Sequence, residues 1–87
     1  MKDYKVAVVI LQYNKDELTN ALLNDLVWTE KDNIDKIVVV DNGSALPFVP
    51  VLRWTAVEID IQVVRLPENI GFTLGFNHGL KLATGEI

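Results

Sequence analysis

Ile37-Val38-Val39-Val40-Asp41-Asn42-Gly43-Ser44 joins four β-branched residues to a cluster of polar and turn-forming ones. Val, Ile, Val on successive positions leaves no polar face, so a strand here must be covered on both sides, as strands of parallel sheets are. Val6-Ala7-Val8-Val9-Ile10-Leu11 reads the same way and ends in Gln12-Tyr13-Asn14. A third run, Ile59-Asp60-Ile61-Gln62-Val63-Val64-Arg65-Leu66, alternates apolar with polar in its first half, which suits an edge strand with one wetter face, and Pro67 ends it.

Helices fill the gaps. Asn14 can cap a helix, with Glu17 three residues on as its capping-box partner. Leu18, Leu22 and Leu26, with Ala21 beside them, form a stripe that should face a sheet. Phe72, Phe76 and Leu80 repeat that spacing after the third strand, and Gly85 suits the C-terminal cap. Residues 44–57 carry two prolines and no clean period, and read as loop with one short helical turn at most. The order strand, helix, strand, irregular crossover, strand, helix predicts an α/β fold, a three-layer Rossmann-like parallel sheet with right-handed crossovers.

Composition narrows the function. The 87 residues are 49% hydrophobic and 23% charged, ordinary for one small globular domain. A net charge of −4 offers no basic excess for a nucleic-acid backbone or an anionic membrane. There is no Cys, and His78 is the only histidine, so thiolate chemistry and a His/Cys zinc site are out. The longest apolar run falls far short of the about 20 residues of a membrane span, and the N-terminus does not resemble a signal peptide. The expectation is an acidic, soluble, cytoplasmic domain. No GxGxxG or GxxxxGK[ST] is present, which disfavours dinucleotide dehydrogenases and P-loop nucleotidases.

In open parallel sheets ligands bind beyond the carboxyl ends of the strands. Three polar clusters fall there: Gln12-Tyr13-Asn14, Asp41-Asn42-Gly43-Ser44 and Glu68-Asn69-Ile70-Gly71. A carboxylate at a strand end can accept a nucleobase N–H, and an aromatic ring beside it can stack on the base. The same residues are also good turn and cap formers. Gly71, Gly75 and Gly79 recur every fourth residue, which serves either close helix-to-sheet packing or the approach of a ligand. Asn77, one turn beyond Thr73, could line that side. Two further readings share this pattern. One is a flavodoxin-like signalling domain with Asp41 as phosphoacceptor, although Leu11-Gln12-Tyr13 lacks the acidic cluster that such domains use for Mg²⁺. The other is a structural interaction module with turn-only motifs.

Four segments, taken in order, resemble the family 2, GT-A fold glycosyltransferases. Val8-Val9-Ile10-Leu11-Gln12-Tyr13-Asn14 resembles their first strand and TYN turn, with Gln12 where Thr or Ser is usual. Ile37 to Ser44 resembles their IVVVDNGS strand. Pro67 to Leu80 is similar to PENxGFxxGxNxGL, the form of the rhamnosyltransferase-like branch, and Ala83 to Ile87 to the A-x-G-E-x before the metal strand. The resemblance implies sugar transfer from a nucleoside-diphosphate sugar to an acceptor hydroxyl, with inversion. It implies that Asp41 binds the nucleobase with Tyr13 against it, and that Asn14, Asn42, Asn69, Gly71 and Asn77 border the nucleotide. A divalent metal, Mn or Mg, would sit on a DxD motif expected just after Ile87, and the catalytic base further on. The chain is thus expected to be the N-terminal nucleotide-recognition part of such a domain, with strand order 3-2-1, inactive alone. The first strand would then present an open edge and favour self-association.

Overall fold

The computed structural model describes residues 6–53 and 59–84. Along them run β1 (Ala7–Gln12), α1 (Asp16–Glu30), β2 (Lys36–Asn42), β3 (Asp60–Leu66) and α2 (Phe72–Thr84). The three strands form one parallel sheet in the order β1-β2-β3, the expected 3-2-1. β2 is central and buried along nearly its whole length, which is why Ile37 to Val40 are apolar on every position. Among the described residues β1 pairs on one side only.

Register sorts the side chains into rows. In a parallel pair, facing residues share a face of the sheet. Val8, Ile37 and Ile61 make one row and Ile10, Val39 and Val63 the next, and both rows pack with Leu23 and Val27 of α1. On the other face Val9, Val38, Leu11 and Val40 meet Leu82 and Ala83 of α2. Two helices on opposite faces of the sheet give the three layers expected. α2 packs chiefly on β1 and β2, and on β3 the face it shares includes the half-buried Gln62.

Both helices present a different stripe from the one expected. In α1, Leu18 (69% exposed) and Leu22 face outward, while Thr19, Leu23 and Val27 are buried and Leu26 only partly so. Polar anchors set this rotation: Thr19 Oγ1 bonds Gln12 Oε1, and Asn20 and Asn24 bond the backbone of residues 49–53. The Asn14 cap is also absent. Asn14 has φ 53, in the left-handed region that Asn tolerates but an N-cap does not use, so Lys15 occupies the cap position with no side-chain bond and no capping box forms with Glu17. In α2, Phe72 and Leu80 are exposed and Gly75 and Gly79 face the sheet. A Cβ at Gly79 would lie 2.6 Å from Val9 Cγ1 and 2.7 Å from Val40 Cγ2. Close packing, not ligand approach, is therefore what Gly75 and Gly79 serve.

Within residues 44–53 no helical turn forms. Instead Phe48 turns inward, 4% exposed, and joins the core between α1 and the sheet. Gly85, residues 54–57 of the crossover and the N-terminal five residues lie outside the described residues.

The rotation of α1 makes a testable pair. Leu23→Ala should lower stability by about 2–5 kcal/mol, the cost of emptying a fully buried leucine site. Leu18→Ala should stay within about 0.5 kcal/mol of wild type. Urea denaturation read by circular dichroism decides between this and the stripe expected from spacing.

Candidate functional site

The last inward position of each strand is polar. Gln12 faces Asp41 in register, and Asp41 faces Arg65. A polar row thus closes the apolar rows at the carboxyl rim of the sheet, on the α1 face.

Asp41 is the centre of that row and has no exposed surface. Its Oδ2 accepts from the Phe48 amide at 2.9 Å and from Arg65 Nη1 at 3.0 Å. Its Oδ1 accepts from the Ser44 amide at 3.3 Å and, at the limit of a hydrogen bond, from Gln12 Nε2 at 3.5 Å. Burial by itself would push this carboxyl up. The Ser44 hydroxyl, the Phe48 and Ser44 amides and the Arg65 guanidinium outweigh it and hold Asp41 below the ordinary 3.8. Asp41 is therefore a buried anion at neutral pH.

Gln12, 2% exposed, is wired into its surroundings. Nε2 also donates to Asp16 Oδ1 and Ser44 Oγ, and Oε1 accepts from the Lys15 amide and Thr19 Oγ1. The turn after β1 is tied to the turn after β2 by two more bonds: the Asn14 amide donates to Ser44 Oγ, and the Ala45 amide donates to Asn14 Oδ1. Tyr13 stands between these anchors, 45% exposed.

Asn42 points to the opposite face, as the next residue of a strand must. Its Nδ2 donates to Asn69 Oδ1 and the Gly71 carbonyl, and its Oδ1 accepts from the Ile70 amide. Asn69 Oδ1 also accepts from the Gly71 amide at 2.8 Å. Gly43 (φ 76) lies so close to the Glu68–Asn69 peptide that any Cβ would collide with it. Gly71 (φ 86) has open space around it and is glycine for its backbone alone.

Tyr13, Asn14, Asp41, Asn42, Asn69 and Gly71 thus share one rim. Asn77 does not: it lines a separate cleft of about 650 Å³ along α2, with Ile70, Leu74, His78 and Lys81. Gln12 and Ser44, members of the strand-end clusters without an assigned role, belong to the site, and so does Arg65, which the sequence did not single out. Pairing the strand ends in register would have found Gln12 and Arg65, because each sits two positions past an inward apolar residue. No group of three or more His, Asp or Glu among the described residues stands close enough together to hold a metal ion. The same lack of acidic company, together with complete burial, disfavours Asp41 as a phosphoacceptor.

The pH dependence of stability follows from the depressed pKa. A carboxylate that ionises more easily folded than unfolded contributes fully above its unfolded pKa, and that contribution disappears as pH falls through the folded one. Asp41→Asn should cost about 1–3 kcal/mol at pH 7, because buried donors lose their charged acceptor. It should also flatten the decline in stability below about pH 4. Urea titrations of both proteins from neutral to acid pH check this; parallel acid limbs would contradict it.

Residues 7–87 match the model of the family described as Glycosyl transferase family 2. The chain is also similar to the "Uncharacterized glycosyltransferase YfnE" of Bacillus subtilis (strain 168), with 34% identity over 84 residues. That alignment covers 95% of this chain and 21% of the relative, so the chain spans about a fifth of the length of that protein. No solved structure matches. The family match spans nearly the whole chain, the three parallel strands between two helices agree with it, and the chain belongs to glycosyl transferase family 2.

Proposed function

We propose that this chain recognises the nucleotide of a nucleoside-diphosphate sugar, and that the protein it belongs to transfers the sugar, with inversion, to an acceptor hydroxyl. The observation that carries the reading is the rim itself: an ionised Asp41 at the end of the central strand, with the exposed Tyr13 at the end of the neighbouring one. A carboxylate accepts from a base N–H, the Tyr13 ring offers a face for stacking, and Asn14, Asn42, Asn69 and Gly71 border the rest. Asn77 takes part only where the ligand extends along α2.

Transfer needs a Lewis acid for the leaving diphosphate and a base for the acceptor. In the family pattern both follow Ile87, so a Mn or Mg site belongs to residues outside this chain, and the chain alone binds without turning over. An acidic, cysteine-free chain suits the reducing cytoplasm, and no described helix is long and apolar enough to cross a membrane. For the 87-residue chain by itself, the open edge of β1 offers unpaired backbone groups to a second copy; sedimentation should show a dimer at high concentration, and a clean monomer would oppose this.

Calorimetric titration with UDP, GDP and dTDP, with and without Mn²⁺, tests the main reading. Weak binding that ignores the metal is expected. Tyr13→Ala should weaken it by about tenfold, in line with about 1–3 kcal/mol for a stacked base. Affinity that rises sharply with Mn²⁺, or that survives Tyr13→Ala and Asp41→Asn together, would refute it.

A further inference from the structure

Asp41 is closed off by its own chain, and its covers differ in how they are held. The Phe48 and Ser44 amides belong to a loop pinned by the buried Phe48 ring. Gln12 is held by bonds to Asp16, Ser44, Lys15 and Thr19. Moving either means dismantling the rim. Arg65 is different. It reaches over from the edge strand β3 with its side chain 38% exposed, and it holds on by two contacts, Nη1 to Asp41 Oδ2 at 3.0 Å and Nη2 to the Ser44 carbonyl at 2.9 Å.

We propose that Arg65 is a latch over Asp41: its guanidinium must swing off the carboxylate before a nucleobase can donate a hydrogen bond there. The latch rests on the reading of Asp41 as the base-binding carboxylate and adds to it the residue that sets access. The chemistry requires a single exchange. An anion saturated by its own chain cannot accept another donor, so the entering base N–H takes the Oδ2 direction that Arg65 gives up, while the Phe48 amide stays in place. The charged partner goes to water, where a half-exposed guanidinium is well solvated, and the neutral N–H replaces it. Opening the pair sends only the exposed partner to water and leaves Asp41 with the Phe48, Ser44 and Gln12 donors that already hold it. The apparent affinity is the intrinsic one multiplied by the fraction of molecules in which the latch stands open. The Ser44 carbonyl contact makes the latch two-pronged, a geometry that a lysine ammonium reproduces only in part.

The test compares the wild-type chain with Arg65→Met, Arg65→Lys and Asp41→Asn by NMR titration, with the amide spectrum reporting the fold. The probes are uridine, thymidine and guanosine, which carry a base but no phosphate, and inorganic diphosphate. The latch predicts that Arg65→Met tightens binding of the preferred nucleoside by about fivefold, that Arg65→Lys gives a smaller gain, and that diphosphate binding does not change. If Arg65→Met does not fold, the gain in Arg65→Lys decides. Nucleoside binding that is weaker or unchanged in the Arg65 variants overturns the latch and leaves Asp41 as base binder intact, provided Asp41→Asn abolishes binding. Weaker diphosphate binding in the Arg65 variants also overturns it, since Arg65 is then a phosphate contact. Nucleoside affinity that Asp41→Asn leaves at the wild-type value, or no binding by any of these proteins, overturns both readings.

Discussion

A carboxylate with no exposed surface is costly unless donors replace the water it has lost. At Asp41 they do, and the rim is organised around supplying them. Gln12 and Arg65 come from the two flanking strands, in register with it, and the Ser44 and Phe48 amides come from the loop that follows. The Phe48 amide reaches Asp41 only if that loop folds back, and folding back carries the Phe48 ring into the apolar layer under α1. One buried charge thereby fixes the path of a segment that has no regular structure of its own. Removing the charge would loosen the core as well as the site.

The neighbouring Asn42 does for the α2 face what Asp41 does for the α1 face. Adjacent residues of a strand point to opposite sides, so Asp-Asn at the end of a central strand reaches the turns on both faces at once. Asn42 holds the 69–71 turn, which sets the start of α2, and the two glycines of α2 then let the helix settle onto Val9, Leu11 and Val40. Gly43 follows immediately because the chain passes against the Glu68–Asn69 peptide, where a side chain has no room. The Asp-Asn-Gly run is thus three solutions to three packing problems at one place.

Much of this was legible in the sequence. The all-apolar Ile37 to Val40 announced a strand covered on both faces, the order of elements announced the parallel sheet, and Pro67 and the polar first half of β3 announced an edge. Helix rotation was not legible. Leu18, Leu22 and Leu26 have the right spacing, yet Thr19, Leu23 and Val27 are the residues buried, because a buried Gln12 recruits Thr19 and the crossover recruits Asn20 and Asn24. Periodicity measures an apolar face but not the polar contacts that turn it. The Asn14 cap failed for a related reason: its side chain and amide were taken by the turn after β2, a partner thirty residues away. Of the site, the residues at the strand ends were visible. Arg65 was not, because only register puts it beside Asp41.

The two asparagines on α1 also shape what the surface can become. Asn20 and Asn24 hold residues 49–53 entirely through main-chain groups, namely the Val49 carbonyl, both groups of Val51 and the Arg53 amide. A primary amide side chain mimics a peptide unit, so α1 grips this segment much as a neighbouring strand would, indifferent to what Val49, Val51 and Arg53 carry. Their side chains are exposed, and none of these four hydrogen bonds uses them. Evolution can therefore repaint this stretch with charge, bulk or stickiness while its course over the helix stays put.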